Sequence, residues 1–140
     1  MGADLSLRMG AAREDLPRIH AALEAFARDE GWPSRLEFQI KLVIEEVVMN
    51  ILSHGYEDGG DHDILIELAS DAEKIGIEIV DDGRPYDPLT EAPAPDTEAS
   101  LSDRPVGGLG VYLVCALMDE ASYRREDNLN RLALTKQKPA

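Results

Sequence analysis

EEVVMNILSHGY, residues 45–56, is the stretch whose reading decides the fold. Glu46, Asn50 and His54 recur every four residues, so on a helix they share one face. Successive members turn by only about 40° around the axis. The apolar stripe of that helix, expected over residues 34–53, is Leu36, Ile40, Val43, Ile44, Val47 and Ile51. Projected against this stripe, Glu46 and Asn50 fall at its border, where a half-buried polar group can meet a ligand. Glu45 and Met49 project further towards solvent or the helix end, which favours Glu46 over Glu45. An ordinary amphipathic boundary would present the same pattern, so the segment gains weight only from its neighbours.

Two further segments supply that weight. DDGRPYDP, residues 81–88, follows the apolar alternation IGIEIV. A carboxylate at a strand end can read an amine, such as an adenine amino group, while Gly83 turns the backbone away. A plain Asp-Gly turn is the alternative. Gly107-Gly108-Leu109-Gly110 then opens an apolar helix. Glycines let a backbone approach an anion, and the N–H groups of a helix start favour phosphate. The chain has neither GxxxxGK[ST] nor a first-strand GxGxxG with an acidic residue further on. Three weak signals at fitting junctions point to a nucleotide site with its own base and metal ligand.

The rest of the chain reads around these segments. Residues 5–9 alternate as an edge strand, and 13–30 carry the helical stripe Leu16, Ile19, Leu23 and Phe26. Gly31 ends that helix and Pro33 opens the next. Ile64, Ile66 and Leu68, then Ile75, Ile77 and Ile79, make two strands whose short DAEK link implies an antiparallel hairpin. Residues 88–105 have no usable period and carry four prolines, Pro88, Pro93, Pro95 and Pro105. Such a stretch is a mobile lid or a solvated insertion. A third helix over 109–118 and strands near 120–124 and 131–136 complete the pattern. The expected fold is α+β: a two-layer sandwich with a mixed, mostly antiparallel sheet of about five strands and three helices on one face.

Composition excludes several functions. The chain has 140 residues, the size of one domain, and a formal net charge of −14. Nucleic acid and anionic membrane are therefore poor partners. An acidic chain that binds ATP needs Mg²⁺ and backbone donors to offset the repulsion. No apolar run approaches the ~18–20 residues of a membrane span, and MGADLSLRMG does not read as a signal peptide. Cys115, the single cysteine, sits within VYLVCALM and reads as a buried, inert thiol. A cytoplasmic location follows.

With all three segments in this order, the chain resembles the Bergerat-fold (GHKL) ATP-binding domains shared by histidine kinases, Hsp90, gyrase and MutL. Within that group it is most similar to the stand-alone anti-sigma-factor serine/threonine-protein kinases of the RsbW and SpoIIAB type. The resemblance covers nearly the whole chain, read as one ATP-binding domain over 1–140, and extends to the tail from Met118-Asp119-Glu120 to Asn130-Arg131-Leu132. It implies ATP and Mg²⁺ as cofactors. Asn50 would ligate Mg²⁺ through its side-chain oxygen, and Glu46 would act as general base. Asp81 would accept from the adenine amino group, with Gly83 letting the base pack on a turn that includes Pro85. The backbone at Gly107, Gly108, Leu109 and Gly110 would meet the phosphates under a lid at 88–106. The implied partners are a STAS-type anti-sigma antagonist, which is phosphorylated, and a sigma factor; a homodimer is usual.

The sequence also departs from that pattern. Ile51 replaces the alanine often found after the asparagine. Ala133 stands where a nucleotide-facing threonine is often found, with Thr135 on the same strand face. Arg104 is the lid's nearby cation for the γ-phosphate. A regulatory module that binds ATP and switches partner affinity without phosphoryl transfer is the alternative function. A domain that kept the fold without nucleotide is a further one. His54 reads as the end of the helix pattern rather than a phosphoacceptor. His20 lacks the dimerisation helix pair of a sensor histidine kinase, and His62 falls in a turn with no role assigned. The acidic run 91–103 reads as a solvated face.

Overall fold

The computed structural model describes residues 2–10, 12–54, 62–91 and 108–139. In chain order the elements are β1 (Ala3–Gly10), a 3-10 turn (Arg13–Asp15), α1 (Leu16–Glu30), α2 (Ser34–His54) and β2 (Asp63–Ser70). They continue with β3 (Lys74–Asp81), α3 (Pro88–Glu91), α4 (Gly108–Leu117), β4 (Glu120–Glu126) and β5 (Leu129–Gln137). The strands form one sheet in the order β1-β2-β3-β5-β4. Every neighbouring pair is antiparallel, so among the described strands the sheet is not mixed.

Alternation sets which face is covered. Ile64, Ile66 and Leu68 of β2 stand opposite Asp81, Ile79 and Ile77 of β3. Ile77, Ile79 and Asp81 stand in turn opposite Leu134, Leu132 and Asn130 of β5. This row is buried and faces the helices, while Glu67, Glu78 and Arg131 lie on the other face. On that open face Arg131 and Glu78 form an ion pair at 2.8 Å.

α2 closes the core. Ile40, Ile44 and Val48 are fully buried, each worth about 1.5–3 kcal/mol relative to exposure. The helix packs against both α1 and α4. It is therefore covered around more of its circumference than one stripe suggests, and Met49 packs partly against the core. The expected β2–β3 hairpin is present. Asp71 Oδ1 accepts from the N–H groups of Glu73 and Lys74, both at 2.8 Å, and so turns the chain.

Some expectations are corrected. In α1 the fourth buried position belongs to Ala27, while Phe26 is half-buried and meets Trp32 edge-on with ring centroids 5.7 Å apart. Cys115 is exposed. Val114 and Met118 take the inward positions at the end of α4, and the next residue after Val114 is turned about 100° away. The start of the expected irregular stretch is helical: α3 begins after Asp87, whose Oδ1 accepts from the Leu89 N–H at 2.9 Å. The remainder of the expected lid, 92–106 with Arg104, lies outside the described residues, as do Gly107 and residues 55–61.

The β4–β5 hairpin turns on two residues with positive φ, Asp127 at 54° and Asn128 at 64°. Both values suit a type I′ turn, whose second position favours glycine. Asn128→Gly is expected to stabilise the fold by a few tenths to about 1 kcal/mol, read as a rise of about 1–4 °C in Tm.

Candidate functional site

Asp81 is the last residue of β3 and continues the buried row, so its carboxylate ends up under the helices at 6% exposure. Burial pushes its pKa up, against the opposing pull of two hydrogen bonds. Both bonds land on Oδ1, from the Gly83 N–H at 2.9 Å and from Asn130 Nδ2 at 3.0 Å. Asp81 also lines the neighbouring cleft.

Asn130 enters at the start of β5, directly opposite Asp81, and is 5% exposed. Its Nδ2 also donates to the Arg84 carbonyl at 2.9 Å. Its Oδ1 accepts from the Tyr123 hydroxyl and, at 3.4 Å, from the Tyr86 N–H. Arg125 donates to the Gly83 carbonyl at 2.8 Å, so both backbone groups of the buried Gly83 are engaged. The turn after β3 is thereby tied to β4 and β5.

A cleft opens beside this network. Its walls are Val47, Asn50 and Ile51 of α2, Ile79 and Asp81 of β3, Arg84, Tyr86 and Pro88 of the turn, Tyr123 of β4, and Asn130 and Leu132 of β5. Apolar walls with a few convergent polar atoms suit a planar heteroaromatic ring. Arg84 lies over the Tyr86 ring, 5.4 Å from its centroid. Pro85 is exposed and is not among the lining residues.

Asn50 lines the same cleft at 8% exposure, and its Oδ1 is buried without a hydrogen-bond partner among the described residues. A buried amide oxygen left alone costs about 1–3 kcal/mol, so a missing donor or cation is implied. Among the described residues no group of three or more His, Cys, Asp or Glu could hold a metal. A hard cation at Asn50 would take its remaining ligands from a bound molecule and water, as Mg²⁺ usually does. The donor set therefore fits Mg²⁺ carried by phosphates.

Glu46 is half-buried one helical turn before Asn50. Its pKa is raised, first by burial and then by the neighbouring Glu45. Glu45 faces His20 instead, with Oε1 to Nε2 at 3.5 Å. α4 begins at Gly108, so the backbone of residues 108–110 is the first turn of a helix packed on α2. His54 ends α2, and His62 meets Asp82 at 3.0 Å.

Sequence reasoning brought Asn50 and Asp81 to one cleft but missed Asn130, Tyr86, Tyr123 and Arg125. The β5 alternation of Asn130, Leu132 and Leu134 was the available signal. The same alternation turns Ala133 and Thr135 to the open face of the sheet, opposite Glu78 and Gly76. Neither faces the cleft, and the inward residue opposite Asp81 is Asn130.

Comparisons with known proteins give the family and the fold. The model of the histidine kinase-like ATPase domain matches residues 9–136. The serine/threonine-protein kinase BtrW of Bordetella bronchiseptica is 36% identical over 113 residues, covering 81% of this chain and 79% of that protein. The serine-protein kinase RsbW of Halalkalibacterium halodurans is 32% identical over 100 residues, covering 69% of this chain and 60% of that one. Among solved structures, the RsbU and RsbW domains of Rv1364c from Mycobacterium tuberculosis superpose with a TM-score of 0.65 at 19% identity. That match covers 99% of this chain and 34% of the other, and it shows the shared fold.

Proposed function

We propose that this chain, which belongs to the histidine kinase-like ATPase domain family, is an ATP·Mg²⁺-dependent protein serine/threonine kinase of the anti-sigma type. The carrying observation is that Asn50 Oδ1, buried without a hydrogen-bond partner among the described residues, lines the same apolar cleft as Asp81. In this reading Asn50 takes a cation and Asp81, in the same cleft, accepts from an amino group. The names of the kinase relatives support the same reading.

In this proposal the adenine lies between Ile51, Ile79 and Leu132, and Asp81 Oδ2 accepts from its amino group. The backbone N–H groups at the start of α4, including Gly108, Leu109 and Gly110, point at the phosphates. Asn50 Oδ1 would hold Mg²⁺, and the ion would offset charge on the transferring phosphoryl oxygens. Glu46 takes the proton of the acceptor hydroxyl as its oxygen bonds to the γ-phosphorus and the bond to ADP breaks.

The acceptor is a serine or threonine of a STAS-type anti-sigma antagonist, and the second partner is a sigma factor. The chain acts as one cytoplasmic domain and works as a homodimer. No helix among the described residues is long and apolar enough to cross a membrane.

Incubation with labelled ATP and purified STAS-domain proteins tests the proposal. Label should appear on a serine or threonine of the acceptor, and only with Mg²⁺. Tight ATP binding with no label on any acceptor would instead favour a module that switches partner affinity without phosphoryl transfer.

A further inference from the structure

We infer that Asn130 is a positioning residue that sets the purine preference of the cleft, by holding Asp81 so that Oδ2 alone meets the base. This rests on the nucleotide reading above and deepens it. The argument is a matter of donors and acceptors. The Asn130 amide faces two groups that only accept, the Asp81 carboxylate at 3.0 Å and the Arg84 carbonyl at 2.9 Å. Nδ2 must point there, because Oδ1 would meet both with like polarity. Oδ1 is then turned to two donors, the Tyr123 hydroxyl and the Tyr86 N–H. All four hydrogen-bonding positions of the amide are filled, so its orientation is fixed.

The consequence falls on Asp81. With Oδ1 holding the Gly83 N–H and Asn130 Nδ2, the carboxylate cannot rotate without breaking a buried bond. Oδ2 is then the acceptor that Asp81 presents to the cleft it lines. Adenine presents an amino donor to it, whereas hypoxanthine presents a carbonyl at the same ring position and would be repelled. A site built to pair one polar group rejects the analogue lacking it far better than an apolar pocket does. Without the Asn130 donor, the carboxylate can turn and the contrast weakens.

The test is calorimetric binding of ATP and of inosine triphosphate, each with Mg²⁺, to wild type, Asn130→Ala and Tyr123→Phe, with thermal melts alongside. Wild type should prefer ATP. In Asn130→Ala the ratio of the two affinities should fall on the order of tenfold, the value of about one charge-assisted hydrogen bond. Tyr123→Phe removes one donor to Asn130 Oδ1 and keeps the Tyr86 N–H, so it should fold and lower the ratio by roughly threefold. A merely structural role would weaken both nucleotides alike. An unchanged ratio in either folded variant overturns the inference and leaves the kinase reading standing. If Asn130→Ala does not fold, the Tyr123→Phe ratio decides. Wild type binding neither nucleotide overturns the nucleotide reading itself.

Discussion

Glu46→Gln should slow phosphoryl transfer to the acceptor by about 10²–10⁴-fold while leaving ATP affinity nearly unchanged. The substitution keeps the shape of a half-buried side chain and removes only its ability to take a proton. Glu46 stands one turn before Asn50, outside the residues that line the cleft, so its substitution should touch binding little. Single-turnover phosphorylation beside calorimetric ATP binding separates the two effects. A variant that transfers at the wild-type rate would remove Glu46 from the mechanism. The same residue gives the rate a pH signature. A base must be ionised, and burial together with Glu45 raises the Glu46 pKa above its ordinary value. The acidic limb of the rate profile should therefore inflect above the usual glutamate range. Glu45→Gln, by removing the nearby charge, should move that limb to lower pH.

Asp81→Asn should cut ATP affinity by roughly 10²-fold or more and at the same time stabilise the protein at neutral pH. The orientation of the new amide is forced. Its oxygen must keep accepting from the Gly83 N–H and from Asn130 Nδ2, so its NH₂ replaces Oδ2 at the cleft. An amino donor of adenine then meets another donor. The stability change runs the opposite way because the wild-type carboxylate is buried at a cost. The folded-state pKa of Asp81 is raised, so its contribution is fully present below the unfolded value and is lost as pH rises through the folded one. The variant has no such loss, and its advantage in a chemical melt should grow over that window. An Asp81→Asn protein that binds ATP as wild type does would show that the amino group is read elsewhere.

Local pattern made the sheet and the helices legible. The isoleucine alternations of β2 and β3 marked their inward faces, and the stripe of α2 marked its core side, because side-chain period follows backbone geometry. Asn50 and Asp81 were legible as site candidates because each stands where such a pattern meets a polar residue. Register across the sheet was not legible. Asp81 meets Asn130 through pairing between strands distant in sequence, and period 2 alone does not say which residues oppose each other. For the same reason Ala133 was read towards the nucleotide when β5 turns it to the open face. The apolar neighbours of Cys115 suggest burial, yet Cys115 is exposed while Val114 and Met118 meet the core. α3 escaped notice because four residues are too few to display a helical period.

The most direct measurement is titration of ATP into wild type and Asn50→Ala, each with and without Mg²⁺. The account predicts binding by wild type that strengthens with Mg²⁺, and loss of that strengthening in Asn50→Ala, since it assigns the ion to Asn50 Oδ1, which has no hydrogen-bond partner among the described residues. Absence of ATP binding in wild type, or a Mg²⁺ effect that survives in Asn50→Ala, would contradict it.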